Sequence, residues 1–300
     1  MRVAIFSLSS CQGCQILFLS LEEYLYSFIG ENNIPYAPFL IDEKKPQEVD
    51  LALVEGTVRN GEQFKRARDM REKAAKLVAL GTCACYGGVQ GIANRISEDE
   101  LLRRRYGIGT AFEGEPPGVK RLLPLDSYIR VDAYLPGCPP PIDLLKSFLE
   151  MALTGDLPSR VSTTVCAECK VSSLPLPQTG PHRLTQSMPQ AGRCLLEQGY
   201  ICMGPVTRGG CGAVCPSEEG VPCSGCRGPS DQALISTSRD LRLDTLRRLA
   251  RAAQSNPEEV EEMIKDPAHS FFKFAIAEPL FRSRRCGGTS QFIHRLGEGE

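Results

Sequence analysis

R-V-A-I-F-S-L-S-S-C-Q-G-C, residues 2–14, decides the fold. Its opening, Arg2–Leu8, is an apolar run of strand type, and Cys11 and Cys14 follow almost at once. The arrangement recurs twice. Cys83, in L-G-T-C-A-C, comes just after the run Lys76–Leu80, and Cys138, in L-P-G-C-P-P, comes just after Tyr128–Leu135. In a parallel α/β sheet the carboxyl ends of neighbouring strands lie along one edge. Four thiols placed beyond three strand ends are therefore expected to meet at one point. A fold builds a metal-cluster cage in this way, and a disulfide framework has no need of it.

Around these anchors, residues 1–155 alternate strand and helix, which predicts a doubly wound parallel sheet of flavodoxin-like type. Gln15–Phe28, with Ile16, Leu17, Leu19, Leu21 and Tyr24, reads as one helix with a mostly buried face. Val49–Val54 is a strand ending at Glu55-Gly56, Gly61–Ala75 is a charged helix, and Lys76–Leu80 is a third strand. Ser97–Tyr106 is a short helix whose start, Ser97-Glu98-Asp99-Glu100, fits a capping box. Gly107–Pro124 is a Gly/Pro-rich loop, Tyr128–Leu135 the fourth strand, and Pro141–Leu153 a closing helix. Residues 156–235 have little periodicity and many Gly, Pro and Cys; bound metal is expected to supply part of their folding energy. Residues 236–300 read as a helical extension. Asn256-Pro257-Glu258-Glu259 has the cap, the first-position proline and the acidic first turn of a helix start.

Composition narrows the function. The net charge is −1 and Trp is absent, so there is neither the basic field nor the stacking surface that nucleic-acid binding uses. No apolar run reaches membrane-spanning length, and the N-terminus lacks the three-part pattern of a signal peptide. Arg103-Arg104-Arg105 is internal and lies on a helix-like segment. The expectation is a cytoplasmic chain without a membrane span, whose thiols stay reduced. Fourteen cysteines in that setting point to metal.

Twelve of the fourteen fall into three sets of four. In the second half the order is Cys166-A-E-Cys169, Cys194, Cys202, then Cys211-G-A-V-Cys215 and Cys223-S-G-Cys226. Four thiolates suit a structural zinc or an iron–sulfur cluster, and spacing in this half does not separate the two.

Taken together, C-x-G-C after the first strand, V-E-G at 54–56, G-T-C-A at 81–84 and P-G-C-P-P at 136–140 resemble the small, electron-transfer subunit of [NiFe] hydrogenases. The related cluster-carrying subunit of respiratory complex I shares part of the pattern. The segment C-L-L-E-Q-G-Y-I-C-M-G-P-V-T-R-G-G-C-G-A-V-C-P, 194–216, is most similar to the cytoplasmic F420-non-reducing (methyl-viologen-reducing) hydrogenases, often joined to heterodisulfide reductase. The resemblance implies three [4Fe–4S] clusters. Cys11, Cys14, Cys83 and Cys138 match the proximal site; Cys166, Cys169, Cys194 and Cys202 the distal; Cys211, Cys215, Cys223 and Cys226 the medial. The exported uptake enzymes have His at the distal position of Cys166, and Pro in place of a fourth medial cysteine, where this chain has Cys215. Four thiolates at each site imply [4Fe–4S] throughout and low potentials.

The resemblance also implies a partner large subunit and an electron-acceptor subunit. The paired C-x-x-C motifs that hold nickel and iron in that large subunit are not found here, so no catalytic residue is assigned to this chain. An NAD(P)-linked hydrogenase, a complex-I-like enzyme and a zinc-bearing interaction protein are the alternative readings. Of the two spare thiols, Cys85 reads as a small buried apolar residue and Cys286 as an incidental one. Glu55 is either a capping carboxylate or a group acting on the nearby cluster. His182, His269 and His294 match no ligand spacing.

Overall fold

The structure is a computed structural model, which describes residues 1–278 except 44, 108–120, 159–160, 172–182, 236–246, 248–249, 252–254 and 264–271. Cys286, the three histidines, most of the Gly107–Pro124 loop and most of the C-terminal extension lie outside the described residues. The chain divides into two compact units. One is Met1–Arg160 with Phe274–Glu278, and the other includes Val161–Lys273.

The first unit is an α/β sheet. Its strands β1 (Arg2–Ser7), β2 (Asn33–Tyr36), β3 (Val49–Glu55), β4 (Ala74–Leu80) and β5 (Ala133–Leu135) are all parallel, in the order β2-β1-β3-β4-β5. This is the flavodoxin-like order, with a switch point between β1 and β3. β3 is buried along almost its whole length because helices cover both faces. Val3, Ile5, Leu51, Leu53, Val78 and Leu80 pack with Phe18 and Phe28 on one side, joined by Leu145, Phe148 and Leu149 of α6 (Ile142–Leu153). The register aligns the strand ends: Ser7 pairs with Glu55, Glu55 with Leu80, and Leu80 with Leu135. Every cysteine of the first set follows this line within a few residues.

Three local expectations change. Gln15–Phe28 is two helices, α1 (Gly13–Leu19) and α2 (Glu23–Glu31). The Ser20 hydroxyl donates to the Ile16 carbonyl at 3.0 Å, and the following amides bond three residues back rather than four. Such back-bonding bends and ends a helix, and Glu22 then turns the chain at φ 50°. The strand expected over Tyr128–Leu135 is only Ala133–Leu135. Asp132 starts this pairing: its carboxylate accepts from Leu77 N at 2.8 Å, and its amide donates to Leu77 O. β2 has no counterpart in the pattern of apolar runs. It contains Pro35, which a sheet tolerates at an edge, and β2 is an edge strand.

Other local signals hold. α3 (Gly61–Lys73) is capped by Asn60, which accepts from Gln63 N at 3.0 Å. α5 (Glu98–Tyr106) starts with Ser97 accepting from Glu100 N at 3.2 Å, the capping contact its sequence announces.

Among the described residues of the second unit, the regular elements include α7 (Val165–Glu168), α8 (Val214–Ser217), α9 (Asp231–Ile235) and α10 (Pro257–Met263). α10 begins with Asn256 accepting from Glu258 N at 3.1 Å. The apolar cluster combines Val165, Leu195, Leu196, Tyr200, Met203 and Val206 with Cys202 and Cys223. Arg208, fully buried, donates to Val161 O at 2.5 Å and to Asp231 at 2.6 Å, which compensates its lost hydration.

Candidate metal-cluster sites

The first site lies at the carboxyl edge of the sheet. After β1 the chain turns at Gln12 (φ 63°) and enters α1, burying Cys14 and leaving Cys11 exposed. After β4, the short helix α4 (Gly81–Tyr86) carries Cys83. Cys138 follows β5. Thr82 N donates to Gly137 O at 2.8 Å, and Gly137 N donates to the Thr82 hydroxyl at 2.9 Å. This reciprocal pair ties the Cys83 turn to the Cys138 turn.

Three of these thiols respond to their neighbours. Burial, then Glu55, then Cys83 and Cys138 push the Cys14 thiol far up. Burial and Cys138 push Cys83 up to about 12, with Cys11 adding to the effect. Cys138 is raised by burial and by Cys11. Buried thiols packed together resist ionisation without a cation; bound metal reverses that balance and displaces their protons.

Two glycines keep the space around the sulfurs clear. A Cβ on Gly81 would strike the Cys14 sulfur. Gly88 has φ 59° and ψ −167°, a region that essentially only glycine occupies, and a Cβ there would strike the Cys83 sulfur. Cys85 also adds, last of the neighbouring thiols, to the rise at Cys14. It is buried, and its Sγ donates to Ala79 O at 3.3 Å.

Glu55, 2% exposed, sits at the centre of the aligned strand ends. Its Oε1 accepts from Cys14 N at 3.3 Å, and among the described residues its Oε2 is buried with no hydrogen-bond partner. Burial raises its pKa against the lowering effect of the Cys14 and Gln15 amides and the Ser10 hydroxyl.

In the second unit, burial raises Cys166 to about 12, with Cys202, Cys194 and Cys169 adding to the shift, so these four form one electrostatic group. Gly204 lies against it: a Cβ there would stand 3.0 Å from the Cys166 sulfur and 3.6 Å from that of Cys202. Cys223 N donates to the Cys202 sulfur at 3.2 Å. Burial raises both Cys211 and Cys223; Cys215 adds to the rise at Cys211, and Cys202 and Cys226 add to that at Cys223.

Two residues of this region were not singled out from the sequence. The carboxylate of Glu168, between Cys166 and Cys169, accepts from the amides of Gly210, Cys211 (3.2 Å) and Gly212 (2.9 Å). Arg227, beside Cys226 and 2% exposed, donates from Nε to Gly209 O at 2.7 Å. The available signal was a charged residue flanked by cysteines, opposite the glycine-rich run G-G-C-G.

The donor chemistry fits thiolate-held clusters. Both units supply cysteine sulfur in glycine-lined cradles, and among the described residues a buried carboxylate oxygen is left unpartnered at the first site. Among the described residues, no group of three or more His, Cys, Asp or Glu is placed to hold a single metal ion. Among the same residues, no helix is long and apolar enough to cross a membrane.

Comparison with known proteins agrees with this chemistry. The family described as NADH ubiquinone oxidoreductase, 20 Kd subunit, matches residues 11–152. The vhu G-subunit of the F420-non-reducing hydrogenase from Methanocaldococcus jannaschii is 38% identical, over 78% of this chain and 83% of its own. The G-subunit of the F420-non-reducing hydrogenase from Methanothermobacter marburgensis is 30% identical, over 93% of this chain and 95% of its own. Among solved structures, a chain of an NAD+-reducing [NiFe]-hydrogenase in the H2-reduced state is 33% identical, with a TM-score of 0.50, over 53% of this chain and 94% of that one.

Proposed function

We propose, from the premise that this chain belongs to the family of F420-non-reducing hydrogenase G-subunits and is an oxidoreductase subunit, that it relays electrons through three [4Fe–4S] clusters. The electrons come from dihydrogen oxidised on a [NiFe] large subunit and go to an acceptor subunit linked to heterodisulfide reductase in the cytoplasm. The observation that carries the reading is the convergence of Cys11, Cys14, Cys83 and Cys138 from three aligned strand ends. A cubane, when bound, supplies a one-electron carrier; the chain's residues hold, shield and tune it.

By this reading Cys11, Cys14, Cys83 and Cys138 hold the proximal cluster. Cys166, Cys169, Cys194 and Cys202 hold the distal one, and Cys211, Cys215, Cys223 and Cys226 the medial one. Glu55 fixes the Cys14 backbone through its amide, and the Thr82–Gly137 pair fixes the distance between the two later turns. The buried sulfurs of Cys14, Cys202 and Cys223 keep water from one side of each site, while Cys11, Cys138, Cys166 and Cys215 remain at exposed edges.

An NAD(P)-linked assembly is the second reading. Its support is the 33% identical structure, which covers 53% of this chain. The F420-non-reducing relatives extend over 78% and 93%, which favours the first reading.

Metal analysis of anaerobically purified protein tests the proposal. Three cubanes require about twelve irons and about twelve sulfides per chain. One or two tightly held zincs, with correspondingly less iron, would make the second-half sets structural.

A further inference from the structure

The loop Gly209–Gly212 carries Cys211 and is gripped from two sides by opposite charges. On its amide side, Glu168 accepts from Gly210, Cys211 and Gly212, and the Thr163 hydroxyl donates to the same carboxylate at 3.4 Å. On its carbonyl side, the buried Arg227 guanidinium donates to Gly209 O. The fit depends on missing side chains. A Cβ on Gly209 would strike Glu168 Oε1, and a Cβ on Gly210 would stand 2.9 Å from Arg227 Nη2. The residues are also tied to the ligand sets by the chain itself: Glu168 lies within C-A-E-C and Arg227 directly follows Cys226. The carboxylate stands 3.2 Å from the Cys211 amide, and the guanidinium stands 2.7 Å from the carbonyl of Gly209, two residues before that cysteine.

We infer that Glu168 and Arg227 are a pair of opposed charges that sets the reduction potential of the cluster held by Cys211, Cys215, Cys223 and Cys226, Arg227 raising it and Glu168 lowering it. The inference rests on the reading that these cysteines hold a [4Fe–4S] cluster. Reduction adds one electron to such a cluster, with no bond made or broken at the protein, so the reduced form carries one more negative charge. A guanidinium held in a dry interior, and never deprotonated there, favours that form. A carboxylate on the Cys211 amide opposes it. It also engages three N–H groups that would otherwise be available to cluster sulfurs, and hydrogen bonds to sulfur are among the factors that set cluster potentials. Both are positioning residues, and neither is a ligand.

A purely structural clamp predicts something different. Removing either arm would loosen the same loop, and both variants would change in the same sense or lose the cluster. Opposed charges predict shifts of opposite sign.

The test is a dithionite titration of the purified hydrogenase complex, followed by electron paramagnetic resonance, on Glu168→Gln, Arg227→Gln and Arg227→Lys. Glu168→Gln keeps the side-chain shape and one acceptor oxygen. It is expected to make this cluster about tenfold easier to reduce at fixed poise, a rise of about 59 mV for one electron. Arg227→Gln is expected to move it about as far down, and Arg227→Lys to restore most of the wild-type value. The cluster on Cys11, Cys14, Cys83 and Cys138 is the reference signal in each sample. Shifts of the same sign, no shift, or loss of the cluster from both charge-removing variants would overturn the inference. If only one of them loses the cluster, the sign in the other decides, with Arg227→Lys as the charge-retaining control. Wild-type protein with about eight irons and no signal from this site would instead overturn the three-cluster reading.

Discussion

At the scale of single residues, two thiols two positions apart have opposite fates. Cys83 senses Cys138 and Cys11, while Cys85 turns into the sheet and donates to Ala79 O. Helical geometry enforces this, since side chains at i and i+2 do not share a face. Cys85→Ser is therefore expected to keep full iron content, and Cys83→Ser to lose or convert the first cluster, as read by iron analysis and paramagnetic resonance. The reverse pattern would exchange the ligand assignment. Gly88 shows how much the site depends on an absent atom. Gly88→Ala forces alanine into a glycine-only backbone region and a methyl group against the Cys83 sulfur. The expected cost is about 1–3 kcal/mol, accompanied by incomplete loading of the first site. Thermal melts with metal analysis check both; a variant with normal stability and iron would show that the turn adapts.

At the scale of elements, the edge pairing of β5 depends on a side chain. Asp132 accepts from Leu77 N of β4 and from Arg71 of α3 at 2.5 Å, so one carboxylate joins helix, strand and strand. Burial raises its pKa, but the Arg71 hydrogen bond and the Leu77 amide outweigh that and leave it below the ordinary value. The sign follows. A carboxyl with a lowered folded pKa contributes stability above its unfolded value, near 3.9, and loses it as pH falls through the folded value. Asp132→Ala should cost about 1.5–3 kcal/mol at pH 7, the range for hydrogen bonds to a charged group. The stability gap between wild type and Asp132→Asn should shrink as pH falls below about 4. Parallel melts of the three proteins across that range test it, and a gap that does not change with pH would remove the charge from the explanation.

At the scale of the molecule, the two units hold their cysteines differently. The first has a conventional sheet core that takes in Cys14, with Cys11, Cys83 and Cys138 outside that cluster. The second has Cys202 and Cys223 inside its apolar cluster, so cluster and core stabilise each other there. On the proposed relay, the first unit faces the electron source and the second the acceptor. Cys166→Ser or Cys202→Ser should leave hydrogen/deuterium exchange by the large subunit near wild type and collapse reduction of the acceptor. Cys11→Ser or Cys14→Ser should impair association with the large subunit itself. Isotope exchange and acceptor reduction, measured together on each purified variant, decide the matter. Equal loss of both activities in the Cys166 and Cys202 variants would break the relay order.

The sequence alone determined the sheet type and the line of cysteines beyond it. Apolar runs of strand length alternating with helical stretches leave few topologies, and parallel strands must end on one edge. It also determined the caps at Ser97 and Asn256, because a cap is a contact between residues a few positions apart. The break at Ser20–Glu22, the edge strand with Pro35 and the role of Asp132 were decided by tertiary structure. Each depends on a bond or a neighbour that spacing along the chain does not reveal. The grip of Glu168 and Arg227 on Gly209–Gly212 belongs with these. Glu168 lies 42 to 44 residues from the amides it engages, and Arg227 lies 18 from the carbonyl. A sequence can display such charges and glycines, but only the folded chain brings them together, because these hydrogen bonds act over about 3 Å.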